Sequence, residues 1–217
     1  MISDLFDFDK SFGKKIIIGT DEAGRGPGAG PVVAAAVHFP VVDDEIFEIF
    51  KLLNDSKQLT EKIRFELAPI IKEKTVWSVC FGSVDEIEKI NILNTSLNCM
   101  KRSCNEVACR IADNNDLLVL VDGNKKIKDF EFPQKFIIKG DMKSASIAAA
   151  SILAKTERDN FMIRLAKQYP LYGWEKNKGY MTKEHLAAVD KYGLCPLHRK
   201  SFFTKHFEKS KQMPLFA

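Results

Sequence analysis

Three isoleucines run into two adjacent carboxylates and then into a glycine-rich turn at Ile16-Ile17-Ile18-Gly19-Thr20-Asp21-Glu22-Ala23-Gly24-Arg25-Gly26-Pro27. A β-branched apolar run of this kind predicts a buried strand. A buried strand that stops at paired acids brings negative charge to the rim of a sheet. Desolvation is costly there unless a cation or a hydrogen-bond network meets the charge. A metal ion is the cation such a site asks for. Adjacent strand residues point to opposite faces, so Asp21 and Glu22 can share an ion only where the strand breaks. The turn beginning at Ala23 is expected to supply that break.

The remaining pattern alternates strands with helices. Residues 32–39 are apolar and close at Pro40, which makes a strand–turn–strand hairpin the simplest reading. Thr60 is placed to cap a helix over 60–72, and residues 75–81 read as a strand. A helix over 95–112 precedes a short strand, 117–121, that also ends in an acid, Asp122, followed by Gly123. Residues 136–138 form a further short strand leading through Gly140 to Asp141. A long helix follows over 144–169, apolar nearly all round at 147–154, and another is expected over 183–191. The expectation is an α/β fold: a mixed β-sheet with flanking helices and a small C-terminal helical appendage. At 217 residues the chain suits one such unit. It divides into a lead-in (1–14), a main domain (15–170), a basic helical segment (171–211) and a flexible tail (212–217).

Asp21, Glu22, Asp122 and Asp141 share one context, an apolar strand or turn with glycine nearby. If the strands lie side by side, the four acids converge at one sheet edge. They would repel one another there, and divalent metal would make the arrangement favourable. Oxygen ligands with no His or Cys close in sequence select Mg²⁺ or Mn²⁺ over zinc. Taken singly, each acid reads better as a cap, a turn residue or a surface charge than as a ligand; only the four together point to metal. The glycine loop has a decoy reading, because Gly24-x-Gly26-x-x-Ala29 fits the loose dinucleotide fingerprint, with Asp43 and Asp44 near the ribose-acid spacing. Pro27 and Pro31 flank a loop leading to a strand where that fingerprint needs a helix, and the Lys-Ser/Thr ending of a P-loop is missing. Both nucleotide readings fail.

The net charge of +4 is unevenly spread. From Lys176 onward there are nine Lys or Arg against three Asp or Glu, a surplus of six that leaves the rest two units negative. A basic segment beside an acidic body suits a polyanionic partner, although a solvated basic face would look the same. No apolar run approaches the ~20 residues that cross a bilayer, and the acidic N-terminus lacks the features of a secretory signal. A cytoplasmic protein with no membrane partner is expected. Five cysteines without a C-x-x-C pair argue against a disulfide framework and against zinc.

These residues resemble the type 2 ribonucleases H, the ribonuclease HII family. The resemblance rests on Gly19-Thr20-Asp21-Glu22-Ala23-Gly24-Arg25-Gly26-Pro27, Asp55-Ser56-Lys57-Gln58-Leu59-Thr60, Val121-Asp122-Gly123 and Lys139-Gly140-Asp141. It extends over residues 147–155 with Arg158-Asp159, residues 179–185, and His198-Arg199-Lys200-Ser201-Phe202. Two positions depart from the family pattern: Gly28 stands where a larger apolar residue is usual, and Met181 where glycine is usual after the tyrosine. The resemblance implies an RNase H-like fold and hydrolysis of the RNA strand in RNA–DNA hybrids. It also implies incision at single ribonucleotides embedded in duplex DNA. By matching position Asp21, Glu22, Asp122 and Asp141 would be the catalytic, metal-binding acids for two Mg²⁺ or Mn²⁺ ions, with Asp21 between them. Gly24, Arg25 and Gly26 would read the 2′-hydroxyl, and Tyr180 would stack on the next sugar, which must be deoxy. Lys57, Lys143, Lys176, Lys178 and Arg199 are candidate phosphate contacts. Asp159 and His185 are assigned to structural support.

The short lead-in disfavours the related type 3 enzymes, and a monomer is expected. Gln212-Met213-Pro214-Leu215-Phe216 resembles the Gln-x-x-Leu-Phe peptide by which bacterial proteins dock on the replication sliding clamp; a plain disordered tail is the rival reading. A non-catalytic hybrid-binding protein and a DNA-directed nuclease on the same scaffold are the alternatives for the whole chain.

Overall fold

The isoleucine run becomes the central strand of a sheet. The computed structural model describes residues 2–50, 60–112 and 115–212. Strands β1 (Ile16–Ala23), β2 (Val32–His38), β3 (Val76–Gly82), β4 (Leu117–Asp122) and β5 (Gln134–Ile137) form one sheet in the order β3-β2-β1-β4-β5. The β1–β2–β3 side is antiparallel, and β4 and β5 are parallel to β1 and to each other. The mixed sheet therefore has the hairpin start that the sequence predicts. The helices, in chain order, are α1 (Ile2–Lys10), α2 (Asp44–Ile49), α3 (Glu61–Lys74), α4 (Val84–Ile90), α5 (Ile92–Cys109), α6 (Ala145–Gln168), α7 (Trp174–Asn177), α8 (Lys183–Tyr192) and α9 (Lys200–Gln212). Among the described residues no helix is long and apolar enough to cross a membrane.

Alternation along β1 and β2 assigns the two faces. Ala35 and Val37 pack with α6, α3 and α1, whereas Ile18, Ala34 and Ala36 pack with α5 and with Val119 and Val121 of β4. Each fully buried valine or isoleucine here contributes about 1.5–3 kcal/mol. Small residues set how closely α6 approaches. A Cβ added to Gly19 would lie 2.2 Å from the backbone nitrogen of Ile147, so the strand and the start of α6 touch through backbone. Ala148, Ala149, Ala150 and Ala154 are wholly buried along the same helix. Its first turn is capped by Ser144, whose Oγ accepts from Ile147 N–H at 3.2 Å.

Residues 1–14, read from sequence only as a lead-in, contain α1. A nine-residue helix is marginal alone and takes its stability from packing. Leu5 and Phe6 are buried, with the Phe6 ring edge-on to Phe39 at 5.0 Å. Asp9 accepts the Ser146 N–H at 2.9 Å, placing a carboxylate at the positive end of α6. The C-terminal elements build a separate small core of Tyr172, Trp174, Val189 and Phe203 against Met162 and Ala166 of α6. That core seats the appendage against Ala29 in the glycine-rich loop. Lys57 and the peptide from Met213 onward lie outside the described residues.

Candidate active site

Two parallel strands set the acids side by side. The β1–β4 register pairs Thr20 with Val121, so Asp21 and Asp122 each follow directly at the carboxyl end of their strands. Grooves at such strand ends are where α/β sheets bind ligands. Strand β1 continues through Ala23, with Glu22 opposite Ala34, and the chain turns only at Gly24. This corrects the expected break at Ala23: both acids sit within pairing, and Glu22 N–H donates back to Asp21 Oδ1 at 2.7 Å. Asp141 comes from a 3₁₀ turn, Gly140–Met142, which Lys139 enters in the left-handed region. Gly140 N–H donates to Asp122 Oδ1 at 2.6 Å, and a Cβ on Gly140 would lie 3.0 Å from that oxygen. The glycine is what lets the Asp141 turn close onto Asp122.

Charge links the four acids in series. Burial holds the Asp21 carboxyl well above its ordinary range, and the Glu22 and Asp122 charges push it further, against hydrogen bonds from Ser151 and Glu22 N–H. Burial also raises Glu22, opposed by its ion pair with Arg25 at 3.0 Å and aided by Asp122. Asp122 is raised by burial and by the Asp141 charge. Among the described residues no three His, Cys, Asp or Glu side chains are drawn together closely enough to enclose an ion. The acids are arrayed along one edge and coupled through space. The set is all oxygen, the donor chemistry of Mg²⁺ or Mn²⁺, and its buried repulsion is what such a cation relieves.

The glycine loop is held from beneath by two buried arginines. Arg158 donates to the carbonyls of Pro31 (3.1 Å) and Ala29 (3.2 Å). Arg199 donates to those of Gly30 (2.9 Å), Pro27 (2.8 Å) and Arg25 (3.3 Å). This corrects the reading of Arg199 as a phosphate contact: its side chain is enclosed and serves the loop backbone. Burial and the neighbouring Arg158 charge lower Arg199 to about 9. Arg158 Nη1 and Arg199 Nη2 are buried without hydrogen-bond partners, so the loop rests on a positive floor.

The two loop glycines have different reasons to be glycine. Gly24 has φ +95°, and a Cβ there would lie 2.1 Å from Arg158 Nε. At Gly26 a Cβ would make only an ordinary contact, 3.6 Å from Tyr180 Cε1. Gly26 thus faces the Tyr180 ring, which is 45% exposed. Lys155 Nζ lies 5.8 Å from that ring and is paired with buried Asp159 at 2.8 Å, while Arg64 reaches the other Asp159 oxygen at 3.5 Å. Lys155, Arg158 and Arg64 are missing from the sequence-derived site. The Lys155–Asp159 pair at helical i,i+4 spacing is the signal that points to them.

The remaining basic candidates scatter. Lys143 is exposed just after the Asp141 turn, beside Asp4, Leu5 and Phe8. Lys176 is exposed on α7. Lys178 is not a free phosphate ligand: it is buried, donating to Glu175 O and paired with Glu61 at 3.2 Å.

The family model for ribonuclease HII matches residues 18–207. A ribonuclease HII of Endomicrobium trichonymphae is 48% identical over 206 residues, covering 93% of each chain. The crystal structure of ribonuclease H2 from Pyrococcus horikoshii OT3 superposes with a TM-score of 0.71 at 25% identity, over 91% of this chain and 99% of that one. The RNase HII of the PCNA:RNase HII complex from Archaeoglobus fulgidus shares the fold at a TM-score of 0.65 and 24% identity, over 85% of this chain and 93% of that one. With an RNase H-like mixed sheet and a family match spanning both the acids and the glycine loop, the chain belongs to the ribonuclease HII family and is a ribonuclease H, a hydrolase of RNA paired with DNA.

Proposed function

We propose that this chain hydrolyses the RNA strand of RNA–DNA hybrids and cuts 5′ to ribonucleotides embedded in duplex DNA, leaving 3′-hydroxyl and 5′-phosphate ends. One linkage supports the reading: mutually repelling carboxylates at the ends of β1 and β4, with Glu22 paired at 3.0 Å to Arg25 of the loop that meets Tyr180 at Gly26. Ribonucleases H depend on metal, and Asp21, Glu22, Asp122 and Asp141 would hold two Mg²⁺ or Mn²⁺ ions. When bound, such ions supply an activated water on one side of the phosphorus and charge neutralisation for the departing oxygen on the other.

The chain's own residues do the selecting and aiming. Gly140 N–H orients the Asp122 carboxylate, and Arg25 orients that of Glu22. With no side chain at Gly26, the loop backbone stands open to a sugar stacked on the exposed Tyr180 ring. A 2′-hydroxyl both donates and accepts, so loop backbone groups can recognise it where a deoxyribose offers nothing. The test is cleavage of duplex DNA containing one ribonucleotide, with Mg²⁺ or Mn²⁺. Cutting confined to the ribonucleotide and lost in Asp21→Asn is expected; equal cutting of all-DNA duplex would sink the proposal.

We further infer that Gln212-Met213-Pro214-Leu215-Phe216 docks this chain on the sliding clamp, in keeping with the clamp-bound RNase HII of Archaeoglobus fulgidus. Leu215 and Phe216 would be the apolar anchors of an extended peptide. Removal of residues 212–217 should abolish clamp binding in a pull-down or titration; undiminished affinity refutes it.

A further inference from the structure

Behind the gap between Gly26 and Tyr180 runs a buried series of hydrogen bonds whose direction is fixed by its donors. Cys195 N–H donates to His198 Nδ1 at 3.0 Å, so that nitrogen carries no proton and His198 is assigned as the Nε2–H tautomer. The Nε2 proton goes to His185 Nε2 at 3.1 Å, which also accepts from Trp174 Nε1–H at 3.1 Å. His185 therefore carries its proton on Nδ1 and donates it to the carbonyl oxygen of Tyr180 at 2.9 Å. His185 and Trp174 are wholly buried and His198 almost so. Tyr180 is pinned further by Thr182 N–H on the same carbonyl and by its own N–H donating to Asn177 O, both at 2.8 Å. Its backbone is fixed while its ring stays open to the loop.

The next residue in the chain holds the opposite wall. Arg199 N–H donates to Gly28 O at 2.7 Å, and its guanidinium takes the carbonyls of Arg25, Pro27 and Gly30. We infer that His198-Arg199, acting with His185, is a bracket that sets the width of the gap between the glycine loop and Tyr180, and with it the choice of sugar. The inference rests on the reading of Tyr180 given above. His185 and His198 are positioning residues in it, since neither faces the gap.

Paired amide variants test it on the full chain. An asparagine amide stands where Nδ1 of histidine stands, and a glutamine amide where Nε2 stands. His185→Asn keeps the donor to Tyr180, and His185→Gln keeps only the acceptor for Trp174 and His198. The readout is kcat and KM on duplex DNA with one ribonucleotide and on a continuous RNA–DNA hybrid, with Mg²⁺. H185Q should lose single-ribonucleotide cutting relative to hybrid cutting by about tenfold, the worth of one buried hydrogen bond. H185N keeps the donor to Tyr180 but leaves the His198 Nε2–H without its acceptor, so it too severs the bracket and should lose the ratio. At His198 the two amides part: H198Q keeps the donor to His185 and the ratio, whereas H198N loses it. Thermal melts of all four establish folding, and the His198 pair decides the matter should the His185 variants fail to fold. Equal ratios for H198Q and H198N, or a wild-type ratio in folded H185Q and H185N, would overturn the bracket. Tyr180→Ala separates the two layers. A ratio unchanged in Y180A overturns the reading of Tyr180 and the bracket with it; a ratio shifted in Y180A but not in H185Q overturns the bracket alone.

Discussion

Gly28 and Met181 compete for one volume: a Cβ placed on Gly28 would lie 2.8 Å from Met181 Cγ, and equally close to the Phe203 ring. The two departures from the family pattern are therefore one exchange of bulk across a contact between the glycine loop and the residue after Tyr180. Gly28→Ala should destabilise the fold by about 1–3 kcal/mol through overpacking. In a Met181→Gly background part of that cost should vanish, giving a favourable coupling of about 1 kcal/mol in a double-mutant cycle. Urea unfolding of the four proteins measures it. Strict additivity would mean that the side chains adjust independently.

Gly24 and Gly26 should separate stability from activity. Gly24→Ala places a methyl group on the Arg158 guanidinium at a positive φ, so the fold should lose about 2–4 kcal/mol. Gly26→Ala meets only an ordinary contact with the Tyr180 ring, so its melting temperature should stay within a few degrees of wild type. Its cutting at a single ribonucleotide should nonetheless drop sharply, because the methyl group enters the sugar gap. Melting curves beside cleavage assays decide this, and a G26A protein with full activity would contradict the placement of the sugar.

Much of this candidate site is legible in the sequence, and the reason is local. Asp21, Asp122 and Asp141 each end an apolar segment with a glycine within three residues, and strand order together with the turn after β5 carries them to one edge. Thr60 is the helix N-cap that its spacing predicts, accepting from Ile63 N–H. Helix α4 has a local signal too, since Ser83 and Glu86 form a capping box visible as S-x-x-E. Other features were not local. Arg199 reads as a surface cation in a basic run; only tertiary structure brings it beneath a loop about 170 residues earlier in the chain, where backbone carbonyls replace water around its charge. Lys178 is misread for the same reason, because its partner Glu61 belongs to a distant helix. Helix α1 depends on Phe39 and Ser146, which no window around residues 2–10 contains.

The acid edge should weaken the metal-free fold. Asp21 is buried against the charges of Glu22 and Asp122, and both burial and repulsion act against its ionised form. Asp21→Asn removes that charge and keeps an oxygen able to accept from Glu22 N–H. The metal-free variant should therefore be more stable than wild type by about 1–2 kcal/mol near neutral pH. Activity should fall by at least about a hundredfold, given the several kcal/mol that metal-held charge stabilisation supplies. Millimolar Mg²⁺ should raise the melting temperature of wild type and leave D21N nearly unmoved. A D21N protein less stable than wild type without metal would show that the Asp21 carboxylate is already compensated within the chain.

Acid should unfold this protein partly through three buried histidines. Burial lowers His38, His185 and His198 from the ordinary histidine value of 6.5, His198 to about 4. A histidine whose folded value is depressed stays neutral in the native state while the unfolded chain takes up its proton. Its contribution to stability is therefore complete above pH 6.5 and is lost as pH falls from there toward about 4 for His198. Inside that window His198 contributes a slope of about 1.4 kcal/mol per pH unit, and His38 and His185 act in the same direction. The bond between His185 Nε2 and His198 Nε2 sharpens the effect. It needs one bare nitrogen, and a proton on His185 Nε2 would set two N–H groups against each other. Replacing His38 by Gln keeps a neutral side chain at every pH, so the fall of stability just below pH 6.5 should become shallower. Urea titrations at several pH values measure that slope. An unchanged slope in H38Q would show that His38 already carries its proton in the folded chain, against the burial around its ring.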